Sequence, residues 1–290
     1  MSRVHDALRR AELGNPFPEE AAPPHRPDAI RGPEYLPLNG GTAAPAIRLN
    51  LTPAMLADVV VVPFQPAPES HLLDLNNTHE TPAEEFRTLR TRLNHLQSLQ
   101  PLHSVVVTSP SPAEGKTFTA VNLALAQAHL MESSVLLGDF DLRRPVIHNL
   151  FQIDRAPGLS DYLTGNCTFP QALRKIDGMN LYLLPAGTPV KNPLELLNMR
   201  QAKALFEELP RLVNWAIFDT PPLLFSADAN LLATLTDGTV LVVKIGSTTF
   251  DNVQRAMQSL CENNVLGIVA NGARASELYS KYTYYYSKTE

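Results

Sequence analysis

The chain of 290 residues is 44% hydrophobic and 18% charged, with a formal net charge of −5 and a pI near 5.9. The apolar share allows a substantial core, and the acidic balance excludes a nucleic-acid partner, which selects a basic surface. Two cysteines, Cys167 and Cys261, lie outside any C-x-x-C spacing, which excludes a disulfide framework or zinc site and fits a reducing compartment.

No stretch approaches the ~18 apolar residues of a membrane span, and the start lacks an apolar signal core. The protein is therefore expected in the cytoplasm, with any link to the plasma membrane supplied by a partner. Residues 2–13 place Val4, Ala7, Leu8 and Ala11 on one helical face behind Ser2 as a cap. Twelve of the 25 prolines lie in the first 80 residues, so residues 14–80 read as a flexible Pro-rich arm. Within it, 55–63 has the character of an edge strand; transient structure is the alternative for both islands.

The ordered domain is expected over 81–275. In TPAEEFRTLRTRL, Thr81 is a candidate cap, Pro82 a first helical residue, and Glu84 the partner in a capping box. Strand-like runs follow at 104–109, 134–139, 180–185, 214–219, 238–245 and 265–271, with helical segments near 117–131, 194–209, 226–235 and 250–263. This alternation predicts an α/β fold with a mainly parallel sheet covered on both faces. Residues 276–290 form a polar tail, and five of the eight tyrosines fall within 279–286.

The strand at 104–109 runs into Ser111-Pro112-Ala113-Glu114-Gly115-Lys116-Thr117-Phe118, and a helix follows. Strand, loop and helix in that order aim backbone amides and a helix N-terminus at one anion, the requirement of a P-loop. Gly115 admits the phosphates closely, Lys116 reaches the β and γ groups, and Thr117 offers its hydroxyl to Mg²⁺. Pro110 stands at the usual first glycine, and GKT by itself arises by chance at solvated helix starts.

Two further strands strengthen that reading, because each ends in a carboxylate, at Asp139 and at Asp219. Ligands of open α/β sheets bind beyond the carboxyl ends of the strands, so both acids are expected at the edge that carries Lys116. Asp219 and Asp139 are assigned to the metal side and Asp141 to proton acceptance. Arg143 is expected on a phosphate or on Asp141. A helix cap for one aspartate and a solvated charge for Arg143 are the alternatives.

With these motifs in order, residues 81–290 resemble the bacterial tyrosine kinases of capsular and exopolysaccharide biosynthesis, cousins of the partition ATPases. The resemblance is carried by Glu84, Arg87 and Arg90 in an ExxRxxR helix and by SPSPAEGKT, VLLGDFDLRRP, WAIFDTPPLL and the terminal tyrosines. GLSDYLTG and LLPAGTPVKNPLELL also look like family segments. It implies ATP and Mg²⁺ as cofactors and Lys116, Asp139, Asp141 and Arg143 as catalytic residues. It also implies phosphorylation in trans of Tyr279, Tyr282, Tyr284, Tyr285 and Tyr286, in control of polysaccharide assembly. Glu84, Arg87 and Arg90 would face a neighbour in a ring that disassembles on phosphorylation. The opening segment looks like that of stand-alone members, which implies a separate transmembrane co-polymerase as activator, and a phosphotyrosine phosphatase would reverse the modification. Gly138, where an apolar residue is usual, and Phe140, where a small one is, depart from the pattern.

The rival reading is a partition-type or cell-division-type regulatory ATPase without kinase activity. Such proteins carry an extra lysine where this chain has Ser111, and they lack a terminal tyrosine cluster. A non-catalytic scaffold of the polysaccharide machinery is a third class.

Overall fold

A computed structural model of the chain describes residues 51–67, 70, 72, 82–130, 132–260 and 265–273. The expected 2–13 helix, the arm before residue 51, Thr81 and the tyrosine tail lie outside those residues.

Eight strands, most of them short apolar runs, build the sheet: β1 (Val60–Val62), β2 (Ser104–Thr108), β3 (Val135–Asp139), β4 (Arg174–Ile176), β5 (Leu181–Leu184), β6 (Trp215–Asp219), β7 (Gly238–Lys244) and β8 (Val265–Asn271). They form one sheet in the order β1-β4-β5-β3-β6-β2-β7-β8. Every pairing is parallel except β4 with β5, so β1 and β4 run against the rest. β2, β3, β5 and β6 are buried along their whole length. Alternation along a strand then feeds two layers: Val106 and Phe218 enter one core, Val105, Val107 and Ile217 the other.

Helices cover both faces. α1 (Ala83–Leu99) lies on α2 (Lys116–Ala128) through Phe86 against Phe118, with ring centroids 5.7 Å apart. α2 is rich in alanine and leucine and is buried from Thr119 to Ala128, each large apolar side chain contributing ~1.5–3 kcal/mol. The short helices α3 (Ile147–Leu150), α4 (Leu159–Leu163) and α5 (Phe169–Ala172) occupy the crossover between β3 and β4. α6 (Pro193–Leu197), α7 (Arg200–Leu212), α8 (Ala227–Leu235) and α9 (Phe250–Ser259) complete the layers. Ser226 and Thr249 cap α8 and α9 by accepting from the amides of Asp228 and Asn252.

Three expectations need correction. The helix expected over 194–209 is two, because Asn198 closes α6 with its amide on the Leu194 carbonyl and Met199 turns extended before α7. Pro82 occupies the N-cap of α1 rather than its first turn, and Glu84 pairs with Arg87, while the capping box expected with Thr81 lies outside the described residues. The arm also does not run unbroken to residue 80. Residues 53–58 form a 3-10 turn, β1 pairs in parallel with β4, and Leu51 and Val59 are buried in the core. The edge strand expected within 55–63 is thus real, and β4, which pairs with it, had no sequence signal of its own.

Candidate active site

Because β2, β3 and β6 are parallel neighbours, their carboxyl ends share one edge, with Asp219 opposite Val107 on one side and Asp139 on the other. β2 leads into the loop that opens α2. In that loop Ala113 has φ +62° and Gly115 φ +97°, a left-handed bend that only glycine adopts without cost. The first-turn amides of α2 have no helical acceptor and are directed at this edge.

Lys116 Nζ lies 3.1 Å from Asp141 Oδ2, 3.5 Å from Asp219 Oδ1 and 3.2 Å from Thr117 Oγ1. The Thr117 hydroxyl donates to Asp219 Oδ2 at 2.7 Å. Burial acts to lower the Lys116 ammonium, but Asp219 and then Asp141 outweigh it and hold it above its ordinary value. Asp139 and Asp219 have no exposure. Burial, with Asp219 facing it, pushes Asp139 well above the usual carboxylate range. Burial likewise pushes Asp219 up to about 6 against the pull of Lys116 and Thr117.

Asp139 Oδ2 accepts from the amides of Val146 and Ile147, each at 3.0 Å, which is the cap role weighed as an alternative. Its other oxygen has no hydrogen-bond partner, and Asp219 Oδ1 has only the Lys116 ammonium at 3.5 Å. Two buried acidic oxygens and a threonine hydroxyl are hard donors that fit Mg²⁺, which binds through one or two carboxylates and completes its shell with water and phosphate. Among the described residues no three His, Cys, Asp or Glu side chains form an all-protein metal cage. A cavity of about 500 Å³ lined by Val61, His129, Lys175 and Asp177 sits where α2 ends and β5 begins, away from this constellation.

The remaining expected residues divide. Asp141 reaches Lys116 and accepts from the Arg144 amide at 3.0 Å, so Phe140 beside it does not divert it. Phe140 is buried against Phe218 and Phe206, at 4.7 and 5.6 Å between centroids. A Cβ on Gly138 would come within 2.7 Å of the Phe140 ring. The two departures from the family pattern therefore compensate each other, glycine making room for phenylalanine on the same strand face.

The hydrogen bonds of Arg143 go to neither Asp141 nor the loop, although the Asp141 charge adds to what holds the arginine above its ordinary value, after the bond to Asp228. The arginine pairs with buried Asp228 in the first turn of α8, Nε to Oδ2 at 2.7 Å and Nη2 to Oδ1 at 3.2 Å. The Phe118 ring packs on Phe86 of α1. The Ser111 amide donates to Glu114 Oε2 at 2.8 Å, so it is not free for phosphate, and Pro112 has none. On α1, Glu84 and Arg87 pair with each other, and Arg90 donates to the Ala126 carbonyl of α2 at 2.9 Å.

Three residues were not foreseen. Asp228 holds Arg143; Thr248 donates to Glu114 Oε1 at 2.5 Å. Asn271 donates to the Glu114 carbonyl at 3.0 Å. Asn271 alone had a signal, as a polar residue ending a strand in the manner of Asp139 and Asp219.

No family model matches the chain. It is 36% identical over 208 residues to the tyrosine-protein kinase YwqD of Bacillus subtilis, covering 71% of this chain and 87% of that protein. The kinase domain of the Escherichia coli tyrosine kinase ETK is similar in structure, with a TM-score of 0.64 at 28% identity, over 77% of this chain and 94% of that domain. The septum site-determining protein MinD of Pyrococcus horikoshii shares the fold, with a TM-score of 0.50 at 19% identity over 61% of this chain and 73% of its own.

Proposed function

The chain belongs to the bacterial tyrosine-protein kinases of capsular and exopolysaccharide biosynthesis, and from that premise we propose that it transfers the γ-phosphoryl group of ATP to its own C-terminal tyrosines. One observation carries this reading above a nucleotide switch of the partition type. Asp141 is a third carboxylate at this edge, additional to the two metal-side aspartates, held 3.1 Å from the Lys116 ammonium and by the Arg144 amide.

In this reading Thr117 and Asp219 hold Mg²⁺, with Asp139 behind them. The ion, when bound, neutralises charge on the β- and γ-phosphates. The loop amides and Lys116 fix the phosphates. A tyrosine hydroxyl, with an ordinary pKa of about 10, gives its proton to Asp141 as its oxygen bonds to the γ-phosphorus. The bond from that phosphorus to the bridging oxygen breaks, and ADP leaves with the electron pair. Lys116 balances the negative charge shared among the oxygens as this proceeds.

Tyr279, Tyr282, Tyr284, Tyr285 and Tyr286 are the proposed acceptors, taken from a neighbouring copy in a ring. A separate transmembrane co-polymerase recruits the protein to the inner face of the membrane and activates it, and a phosphotyrosine phosphatase resets it. The modification controls polysaccharide chain synthesis and export. Among the described residues no helix is long and apolar enough to cross a membrane. Incubation with ATP and Mg²⁺ followed by phosphotyrosine detection on the intact chain tests the reading. Label on tyrosine that vanishes in Asp141→Asn supports it, and label that persists there places the proton acceptor elsewhere.

A further inference from the structure

Glu114 is a carboxylate in a loop that is to bind an anion, it is only 3% exposed, and the transfer chemistry does not use it. Both of its oxygens are engaged: Oε2 accepts from the Ser111 amide at 2.8 Å and Oε1 from the Thr248 hydroxyl at 2.5 Å. The direction of the second bond is fixed, because Thr248 Oγ1 itself accepts from the Lys244 amide at 2.8 Å and so spends its one hydrogen on Glu114. The end of β7 is thereby tied to the loop across 134 positions of sequence.

Asn271, the last residue of β8, grips the same place from another side. Its Nδ2 donates to the Glu114 carbonyl at 3.0 Å and lies 1.9 Å from where a Cβ on Gly115 would stand. In a trans peptide the carbonyl and the following N–H point in opposite directions. With the Glu114 carbonyl held on Asn271, the Gly115 amide is turned away from it, into the row of amides that opens α2. The neighbouring Ala113, at φ +62°, adopts a conformation that persists only when its surroundings impose it.

We infer that Thr248 and Asn271 are positioning residues that lock the 114–115 peptide through Glu114 and thereby set the affinity of the loop for nucleotide phosphate. The inference rests on the reading of this edge as the ATP site. The clamp acts before chemistry, so its loss should raise KM for ATP and leave the rate at saturation nearly intact.

The test measures Mg-ATP dissociation constants, the KM and kcat of autophosphorylation, and thermal melting on the full chain. Thr248→Val, which keeps shape and removes the hydroxyl, and Asn271→Ala should each weaken ATP binding and raise KM by about tenfold, the scale of a hydrogen bond to a charged or fixed group. Thr248→Ser should restore both values to within about twofold of the parent, since the hydroxyl is what acts. Unchanged ATP affinity in Thr248→Val and Asn271→Ala, or failure of Thr248→Ser to restore it in a chain that melts normally, overturns the clamp while leaving the ATP site standing. A parent chain that binds no ATP overturns the site and the clamp together.

Discussion

Asp139 and Asp219 face each other on adjacent strands without exposure, an arrangement that opposes folding in the absence of a cation. Asp219 favours the native state when protonated. Its ordinary value is 3.8 and its value in the fold about 6, so that advantage is complete below the first and lost as pH rises through the second. In metal-free protein, Asp219→Asn should therefore be more stable than the parent by about 1–3 kcal/mol near pH 7.5, with the gap closing below about pH 4. Calorimetry across that range decides it; a gap independent of pH removes the carboxylate charge as the cause. Lys116→Met should abolish phosphotyrosine and weaken ATP binding by about tenfold or more, through loss of the charge on the phosphates. Asp141→Asn should lower kcat by about 10²–10⁴ while Mg-ATP still binds. Equal loss of nucleotide in Asp141→Asn and Asp219→Asn would contradict that division of labour. At Gly138 the packing is specific: Gly138→Ala should cost ~1–3 kcal/mol and cost much less in a chain that also carries Phe140→Ala. Additive effects in denaturant melts would show that the two positions do not share a space.

At the scale of elements, the loops after β2, β3 and β6 are fixed by neighbours rather than by their own sequence. Arg143 ties the segment after β3 to α8 through Asp228, and the side-chain bond raises the arginine further above its ordinary value. Arg90 ties α1 to α2 through the Ala126 carbonyl, whereas Arg87 only meets Glu84 on the surface. The two arginines of the ExxRxxR helix thus have different work within one copy, and their proposed place at a ring interface is separable. Arg87→Ala should change stability by no more than about 0.5 kcal/mol and still convert unphosphorylated oligomers to monomers. Light scattering that finds intact oligomers in Arg87→Ala would remove Arg87 from the interface. Arg90→Ala should also lower the melting temperature, because the Ala126 carbonyl loses its side-chain donor.

For the whole molecule, the kinase unit reaches back to residue 51, since Leu51 and Val59 are buried and β1 closes the sheet beyond β4. Removing residues 1–81 should lower stability by ~3–6 kcal/mol, the contribution of two buried apolar side chains. A chain beginning at residue 82 that melts like the parent would show that β1 is dispensable. The same boundary governs any test of activator docking by the N-terminal segment, which must spare residues 51–67 to be interpretable. Phosphates on the terminal tyrosines would each add about −1.5 to −2 charges beside Asp139 and Asp141, so the proposed ring should disassemble on phosphorylation. An unchanged mass in solution across that step refutes the switch.

Much of this protein is legible locally. A strand, a glycine-turned loop and a helix start specify a phosphate cradle because the amides that bind are consecutive in sequence. A buried run ending in aspartate must deliver its acid to the edge it shares with parallel neighbours, so Asp139 and Asp219 follow from pattern alone. β4 carries no such signal: three residues, two of them charged, become a strand only because β1 and β5 flank them. Arg143 on Asp228, Glu114 on Thr248 and Asn271, and the antiparallel turn of β4 were decided by tertiary structure. Many exposed polar groups were equally able to pair with each of them. Which one does so depends on the segments that burial of the sheet brings together, across 85 to 157 positions of chain, and no local period records that choice.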